Sequence, residues 1–224
     1  SSRRQRQMCI RDRLITMNKE KNLSYLVLIR HGQSEWNEKN LFTGWKNPPL
    51  TEKGIEEAEL AGIRIKNLNI DFSHYFTSAL IRAQETGEII LNQLEKEKII
   101  KTRSQNLNER DYGDLSGLNK DEAKKEWGED QVHIWRRSFD IPPPGGESLK
   151  DTADRVLPYF EEEIKPLVEQ GNNILICAHG NSLRSLIMSL EEISPSEIVK
   201  VEIGTGEPIL FSYSTESRFK RKDL

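Results

Sequence analysis

Only two of the 224 residues are cysteine, Cys9 and Cys177, and they form no CxxC pair, so no disulfide framework or thiolate metal site is written into the chain. No apolar run approaches the roughly 20 residues needed to cross a bilayer, which excludes a membrane-spanning helix. Charge of neither sign prevails: 33 Lys and Arg stand against 36 Asp and Glu, and no basic stripe with interleaved aromatics marks a nucleic-acid track. A Walker lysine loop is missing too, which argues against nucleotide hydrolysis of that type. What is present, 31% charged and 35% hydrophobic residues, is the composition of a globular protein, and the length suits one large domain with its own core. Cys177 lies in an apolar run where a buried thiol is the usual occupant, and the expected compartment is a reducing one, the cytoplasm.

Ser1 to Thr16 carries five arginines and one aspartate without the apolar core of an export signal. An Arg- and Ser-rich leader suits an organelle transit peptide. RRQRQMCIRDR looks more like translated sequencing-adapter read-through ahead of a start at Met17, and residues 1–16 are expected to be disordered and outside a single domain over 17–224.

From Tyr25 onward strands and helices alternate. YLVLI reads as a buried strand, Glu52 to Asn67 as a helix with apolar positions 55, 58, 62 and 65, and His74 to Thr77 as a strand. Ser78 suits the cap of a helix with positions 80, 83, 87, 90 and 94 on its apolar face. Residues 98–103 suit a strand, Asn119 to Trp127 a short helix, and Ser148 to Gln170 a long helix interrupted at Pro158 and Pro166. Asn173 to Ala178 reads as a strand, Ser182 to Glu191 as a helix and Pro208 to Tyr213 as a last strand. This order predicts an α/β fold: a mainly parallel sheet with helices on both faces, a three-layer sandwich in a single domain. Leu107 to Trp127 and Val132 to Gly146 lack regular apolar periodicity and are read as functional loops holding Glu109, Lys120, Arg136 and Arg137.

One internal echo carries chemistry. LVLIRHGQS at 26–34 and ILICAHGNS at 174–182 each read as apolar strand, His-Gly, polar residue, Ser. In a parallel sheet both strands end on the carboxyl edge, so His31 and His179 can converge across 148 positions. Gly32 and Gly180 remove side chains where a ligand would approach the backbone, and Arg30 and Arg82 supply planar forks suited to phosphate oxygens. A neutral imidazole flanked by guanidinium groups can attack phosphorus and see its charge stabilised. The bland alternatives are loop histidines, a solvated helix charge for Arg82, a surface carboxylate for Glu109 and a solvated pair for Arg136 and Arg137.

Six blocks in order, RHGQSEWN (30–37), FTGW (42–45), TSALIRAQET (77–86), LNERDYGDLSGLNK (107–120), WRRS (135–138) and AHGNSLR (178–184), resemble the cofactor-dependent phosphoglycerate mutases of the histidine phosphatase superfamily, over about Tyr25 to Tyr213. The resemblance implies that His31 becomes a phosphohistidine, that Glu109 gives and takes the proton, and that His179 stabilises the transferring phosphoryl group. It implies phosphate contacts from Arg30, Ser34, Asn37, Arg82, Gly180 and Asn181, and contacts to the rest of a phosphoglycerate from Thr43, Gly44, Tyr112, Lys120, Arg136 and Arg137. Gly32, Gln33, Arg110 and Asp111 fall inside the same blocks and join the expected substrate-binding set. The implied reaction interconverts 3- and 2-phosphoglycerate in glycolysis and gluconeogenesis, primed by 2,3-bisphosphoglycerate and needing no metal. The implied partners are small phosphorylated three-carbon acids, not nucleic acid or membrane, with a homodimer or homotetramer left open. Asp111 stands where many relatives carry histidine, and the connection SFDIPPP is shorter than in longer members. The rival readings are a broad phosphatase of the same superfamily, which needs no second anion site, and a noncatalytic phospholigand-binding module.

Overall fold

The apolar run of the first strand fixes the centre of the architecture. In the computed structural model, which describes residues 23–224, Leu26, Val27, Leu28 and Ile29 are all fully buried, as only a strand covered on both faces allows. The expectations for the leader, Cys9 and the start at Met17 lie outside the described residues.

Six strands, β1 (Ser24–Arg30), β2 (His74–Thr77), β3 (Ile100–Arg103), β4 (Ile174–Ala178), β5 (Pro208–Ser214) and β6 (Arg218–Lys222), form one sheet in the order β3-β2-β4-β1-β5-β6. The first four are parallel; β5 pairs antiparallel with β1, and β6 antiparallel with β5. The helices are α1 (Glu35–Glu38), α2 (Glu52–Lys66), α3 (Ile81–Gln93), α4 (Lys120–Trp127), α5 (Glu129–Arg137), α6 (Leu149–Tyr159), α7 (Lys165–Glu169), α8 (Gly180–Leu190) and α9 (Pro195–Ile198). The period of two sorts each central strand between the layers. Val27, Ile29, Leu175 and Cys177 pack under α2 and α3, while Leu26, Leu28, Ile174 and Ile176 pack under α6, α7 and α8. The result is the expected three-layer α/β fold.

Several local expectations change. Ile55 stays 42% exposed, and the buried face of α2 is made by Gly54, Ala58, Ala61, Gly62 and Ile65, with Gly62 letting α3 approach closely at Ile90 and Gln93. The proline interruption takes the form of a π turn at Phe160–Ile164 between α6 and α7. The α8 helix begins at Gly180 rather than Ser182, directly behind His179. The segment expected to be irregular from Val132 contains α5, which with α4 covers a separate small core of Phe42, Leu115, Ala123 and Val132 beside the carboxyl edge of the sheet. The strand β6 was not expected either, since RFKRK has no apolar alternation beyond Phe219.

Candidate active site

Register brings the two histidines together. Arg30 pairs with Ala178 across β1 and β4, so His31 and His179 leave the sheet side by side, with the His31 amide on the Ala178 carbonyl at 3.0 Å and ring centroids 5.0 Å apart. Nδ1 of His31 lies 2.7 Å from the Gly32 carbonyl. A carbonyl only accepts, so Nδ1 carries the proton and Nε2 keeps the lone pair, toward which Arg82 Nε donates at 3.2 Å. Burial, then the Arg82 and Arg30 charges, hold the ring well below the ordinary histidine value of 6.5, outweighing the opposing bond to Gly32. The imidazole is therefore neutral and nucleophilic at neutral pH.

His179 is buried behind it, with Nε2 at 2.7 Å from Ser78 Oγ. That hydroxyl, expected to cap α3, instead accepts from the Leu80 amide at 3.1 Å. Nδ1 of His179 is buried and without a partner. Burial, with Arg82, His31 and Arg30 nearby, keeps this ring neutral too.

A cavity of about 140 Å³ opens at this edge. Its floor holds Arg30, His31, Arg82, Glu109, Gly180 and Asn181; its rim holds Asn37, Thr43, Gly44, Tyr112, Lys120, Arg136 and Arg137. Arg82 is buried, with its other nitrogens on the Lys46 and Gly44 carbonyls at 2.9 and 3.0 Å. Burial lowers it to about 10, which leaves it cationic. Arg30 donates to the Ile203 carbonyl at 2.8 Å, and its buried Nε has no partner. Glu109 Oε1 accepts the amides of Arg110 and Asn181 at 2.7 and 3.1 Å, which leaves Oε2 for other work. A Cβ on Gly180 would stand 3.7 Å from both that Oε2 and Arg30 Nε, filling the space between them. Asn37 Oδ1 is occupied by Ser34 N and Oγ at 3.0 and 2.9 Å, so its Nδ2 hydrogens are the ones left to donate elsewhere. On the rim, burial lowers the Lys120 ammonium; at Tyr112 burial raises the phenol, but the charge and hydrogen bond of Arg110 together with Lys120 bring it down.

Six residues of the expected set do not line the cavity: His179, fully buried behind His31, and five others. Gly32 is bare because a Cβ there would meet the Gly54 carbonyl at 2.1 Å, so the close approach is to α2, not to a ligand. Gln33 is tied to Glu57 and Thr51, Ser34 forms the capping box of α1, and Asp111 accepts from Gly113 N at 2.9 Å. Arg110 turns toward α5, donating to the Trp135 carbonyl at 3.1 Å and to the Tyr112 hydroxyl at 3.0 Å. Conversely, Arg184 and Glu202 stand on the cavity without having been singled out. Arg184 lies in the AHGNSLR block, three residues after Asn181, whose Oδ1 it meets at 3.1 Å; Glu202 carries no sequence signal.

Six cationic side chains (Arg30, Arg82, Lys120, Arg136, Arg137, Arg184) face the cavity against two carboxylates, Glu109 and Glu202. Among the described residues no group of three His, Cys, Asp or Glu is placed to hold a metal ion, and no helix is long and apolar enough to cross a membrane. A neutral histidine beside the buried Arg82 and the half-buried Arg30, with a carboxylate in the same cavity, is suited to phosphoryl transfer through a histidine nucleophile.

Comparison with known proteins places that chemistry in a family. The model of the histidine phosphatase superfamily (branch 1) matches residues 26–221, and the chain belongs to that superfamily. It is 59% identical over 199 residues, 89% of this chain and 95% of the relative, to a 2,3-bisphosphoglycerate-dependent phosphoglycerate mutase of Parvibaculum lavamentivorans. Among solved structures, a phosphoglycerate mutase from Bacillus anthracis superposes with a TM-score of 0.73 at 22% identity, covering 91% of this chain and 93% of that one. An alpha-ribazole phosphatase from Shigella flexneri superposes at 0.76 with 24% identity, covering 89% and 95%. The fold is thus common to mutases and phosphatases, and the choice between them rests on the site.

Proposed function

We propose that the chain interconverts 3-phosphoglycerate and 2-phosphoglycerate through a phosphohistidine at His31, in glycolysis and gluconeogenesis in the cytoplasm. The observation that carries this reading is the second group of cations: Arg30 and Arg82 act on the nucleophile, and Lys120, Arg136 and Arg137, carried on α4 and α5, line the same cavity. Transfer to water needs one phosphate held, whereas a mutase must hold a three-carbon acid by both ends. The mutase relative at 59% identity supports the same choice.

The buried unpartnered Arg30 Nε and His179 Nδ1, with the side-chain-free space at Gly180, fit a phosphoryl group, and the rim cations fit a second anionic end. 2,3-Bisphosphoglycerate, when bound, supplies the phosphoryl group that loads His31. His31 Nε2 is the attacking atom, and Arg30, Arg82 and His179 Nδ1 stabilise charge on the oxygens in transit. Glu109 Oε2 takes the proton from the accepting hydroxyl and returns one to the departing oxygen. Lys120, Arg136 and Arg137 retain the far end while the three-carbon acid turns, and the buried floor keeps water from the phosphohistidine. A coupled assay of 3-phosphoglycerate conversion with chelator present tests the reading. Activity that rises with added bisphosphoglycerate and survives chelation is expected; phosphate release without 2-phosphoglycerate would overturn it in favour of a phosphatase.

A further inference from the structure

A general acid-base works only if its oxygen is held where the reacting oxygen arrives, yet Glu109 lies on neither helix nor strand. It sits in the stretch between two 3₁₀ turns, Gln105–Leu107 and Gly113–Leu115. The group that ties most of that stretch's backbone is a guanidinium from α6, outside the cavity. Arg155 Nη1 donates to the carbonyls of Asn106 and Asn108 at 2.9 and 3.1 Å and more weakly to that of Gln105 at 3.4 Å; Nη2 donates to the carbonyl of Glu109 at 2.8 Å. The same group forks onto Glu147, with Nε on Oε1 and Nη2 on Oε2, both at 2.8 Å. Glu147 Oε2 in turn accepts the Asp111 amide at 3.0 Å and the Thr152 hydroxyl at 3.2 Å. Trp45 adds an independent tie, its Nε1 donating to the Glu109 carbonyl at 2.7 Å, while its ring lies 5.5 Å from the Arg155 guanidinium carbon.

The pair is largely sheltered, at 17% and 21% side-chain exposure, and burial of Glu147 is outweighed by Arg155, which holds its carboxyl below the usual range. Four carbonyls before and at Glu109, and the amide two residues on, therefore hang on one bidentate ion pair. None of Arg155, Glu147 and Trp45 lines the cavity.

We propose that Arg155, with Glu147 and Trp45, is the positioning device for the Glu109 carboxyl, acting on proton transfer and not on phosphate binding. The inference rests on Glu109 being the acid-base of the reading above. When His31 takes a phosphoryl group from an alkyl ester, the bond from phosphorus to the ester oxygen breaks as the bond to Nε2 forms, and the departing oxygen takes the Glu109 proton. A nitrophenolate leaves as a stable anion and needs no such proton.

The test measures phosphorylation of His31 in the full unphosphorylated chain, by rapid quench and intact mass, with 2,3-bisphosphoglycerate and with p-nitrophenyl phosphate as donors. Glu109→Gln is the reference and should slow the first donor by about 10²- to 10⁴-fold while leaving the second within about threefold. Arg155→Met and Arg155→Lys should show the same selectivity, about tenfold or more against the first donor and within about threefold for the second, because lysine keeps the charge but cannot span the carbonyls. Equal slowing with both donors, or none with the bisphosphate, overturns the positioning role. If Glu109→Gln itself fails to discriminate, the acid assignment falls and the Arg155 inference with it; discrimination there but not at Arg155 sinks the inference alone. Should the Arg155 variants not fold, Trp45→Phe removes one hydrogen bond and keeps an aromatic ring, and it should give the same selectivity at about two- to fivefold. Equal or absent slowing in that variant overturns the proposal.

Discussion

His31 and His179 leave the ends of two neighbouring strands whose residues are almost wholly buried, whereas Lys120, Arg136 and Arg137 ride on two short helices resting on a core of four buried residues. The floor cannot shift without breaking the register of β1 against β4. The rim is built on a small core of its own. The nucleophile of the proposed reaction thus sits at the end of the stiff element, and the rim cations sit on a separate one.

The comparison breaks first at the floor. His31→Ala should abolish phosphoglycerate interconversion, because no other side chain at this edge presents a lone pair between two guanidinium groups; residual turnover near the parent value in a mutase assay would sink the covalent reading. Glu109→Gln should cost about 10² to 10⁴ in kcat with KM little changed, a split that steady-state kinetics reads directly. At the rim the effect should be smaller and of another kind. Removing a guanidinium by Arg136→Ala or Arg137→Ala forfeits about 1.5–3 kcal/mol per charged hydrogen bond, so mutase activity should fall at least about tenfold while hydrolysis of phospho-His31 persists or rises relative to it. A parallel fall of both rates would move these arginines to the floor's function. Of the two, Arg137 already pairs with the exposed Glu202 at 2.7 Å, a bond that water competes for and a ligand can displace.

The smallest effect separates the regions by pH. Both buried rings are held neutral in the fold, below the 6.5 of an exposed histidine, so below that value the unfolded chain binds more protons than the native one. Stability should therefore be flat above about pH 6.5 and fall below it, by up to about 1.4 kcal/mol per pH unit for each ring. Denaturant midpoints measured from pH 7 to 5 check this, and His31→Asn should make the fall shallower. A slope unchanged by that substitution would mean the ring already takes its proton in the native state.

The floor was legible because its signals are local and repeated: two apolar runs of the strand period, each followed by His-Gly, and a parallel sheet to bring their ends together. The rim was not. In EDQVHIWRR only Val132 is fully buried, with Trp135 partly so and Ile134 38% exposed, so the apolar face of α5 is short and rests on a core drawn from Ala123 on α4, Leu115 and the distant Phe42. Block membership also overreached. Gly32 and Gln33 adjoin the nucleophile in sequence, but their contacts are with Gly54, Thr51 and Glu57, which only the packing of α2 reveals. Arg155 lay beyond the resemblance blocks entirely, since its partners are backbone carbonyls that no side-chain pattern announces.

The central claim is that His31 Nε2 carries the phosphoryl group between substrates. The direct measurement is intact mass of the chain after incubation with 2,3-bisphosphoglycerate, peptide mapping of the phosphate, and a chase with 3-phosphoglycerate. The account predicts one acid-labile, base-stable phosphate on His31 that disappears on the chase. Interconversion proceeding while His31 stays unmodified, or a phosphate on another residue, would contradict it.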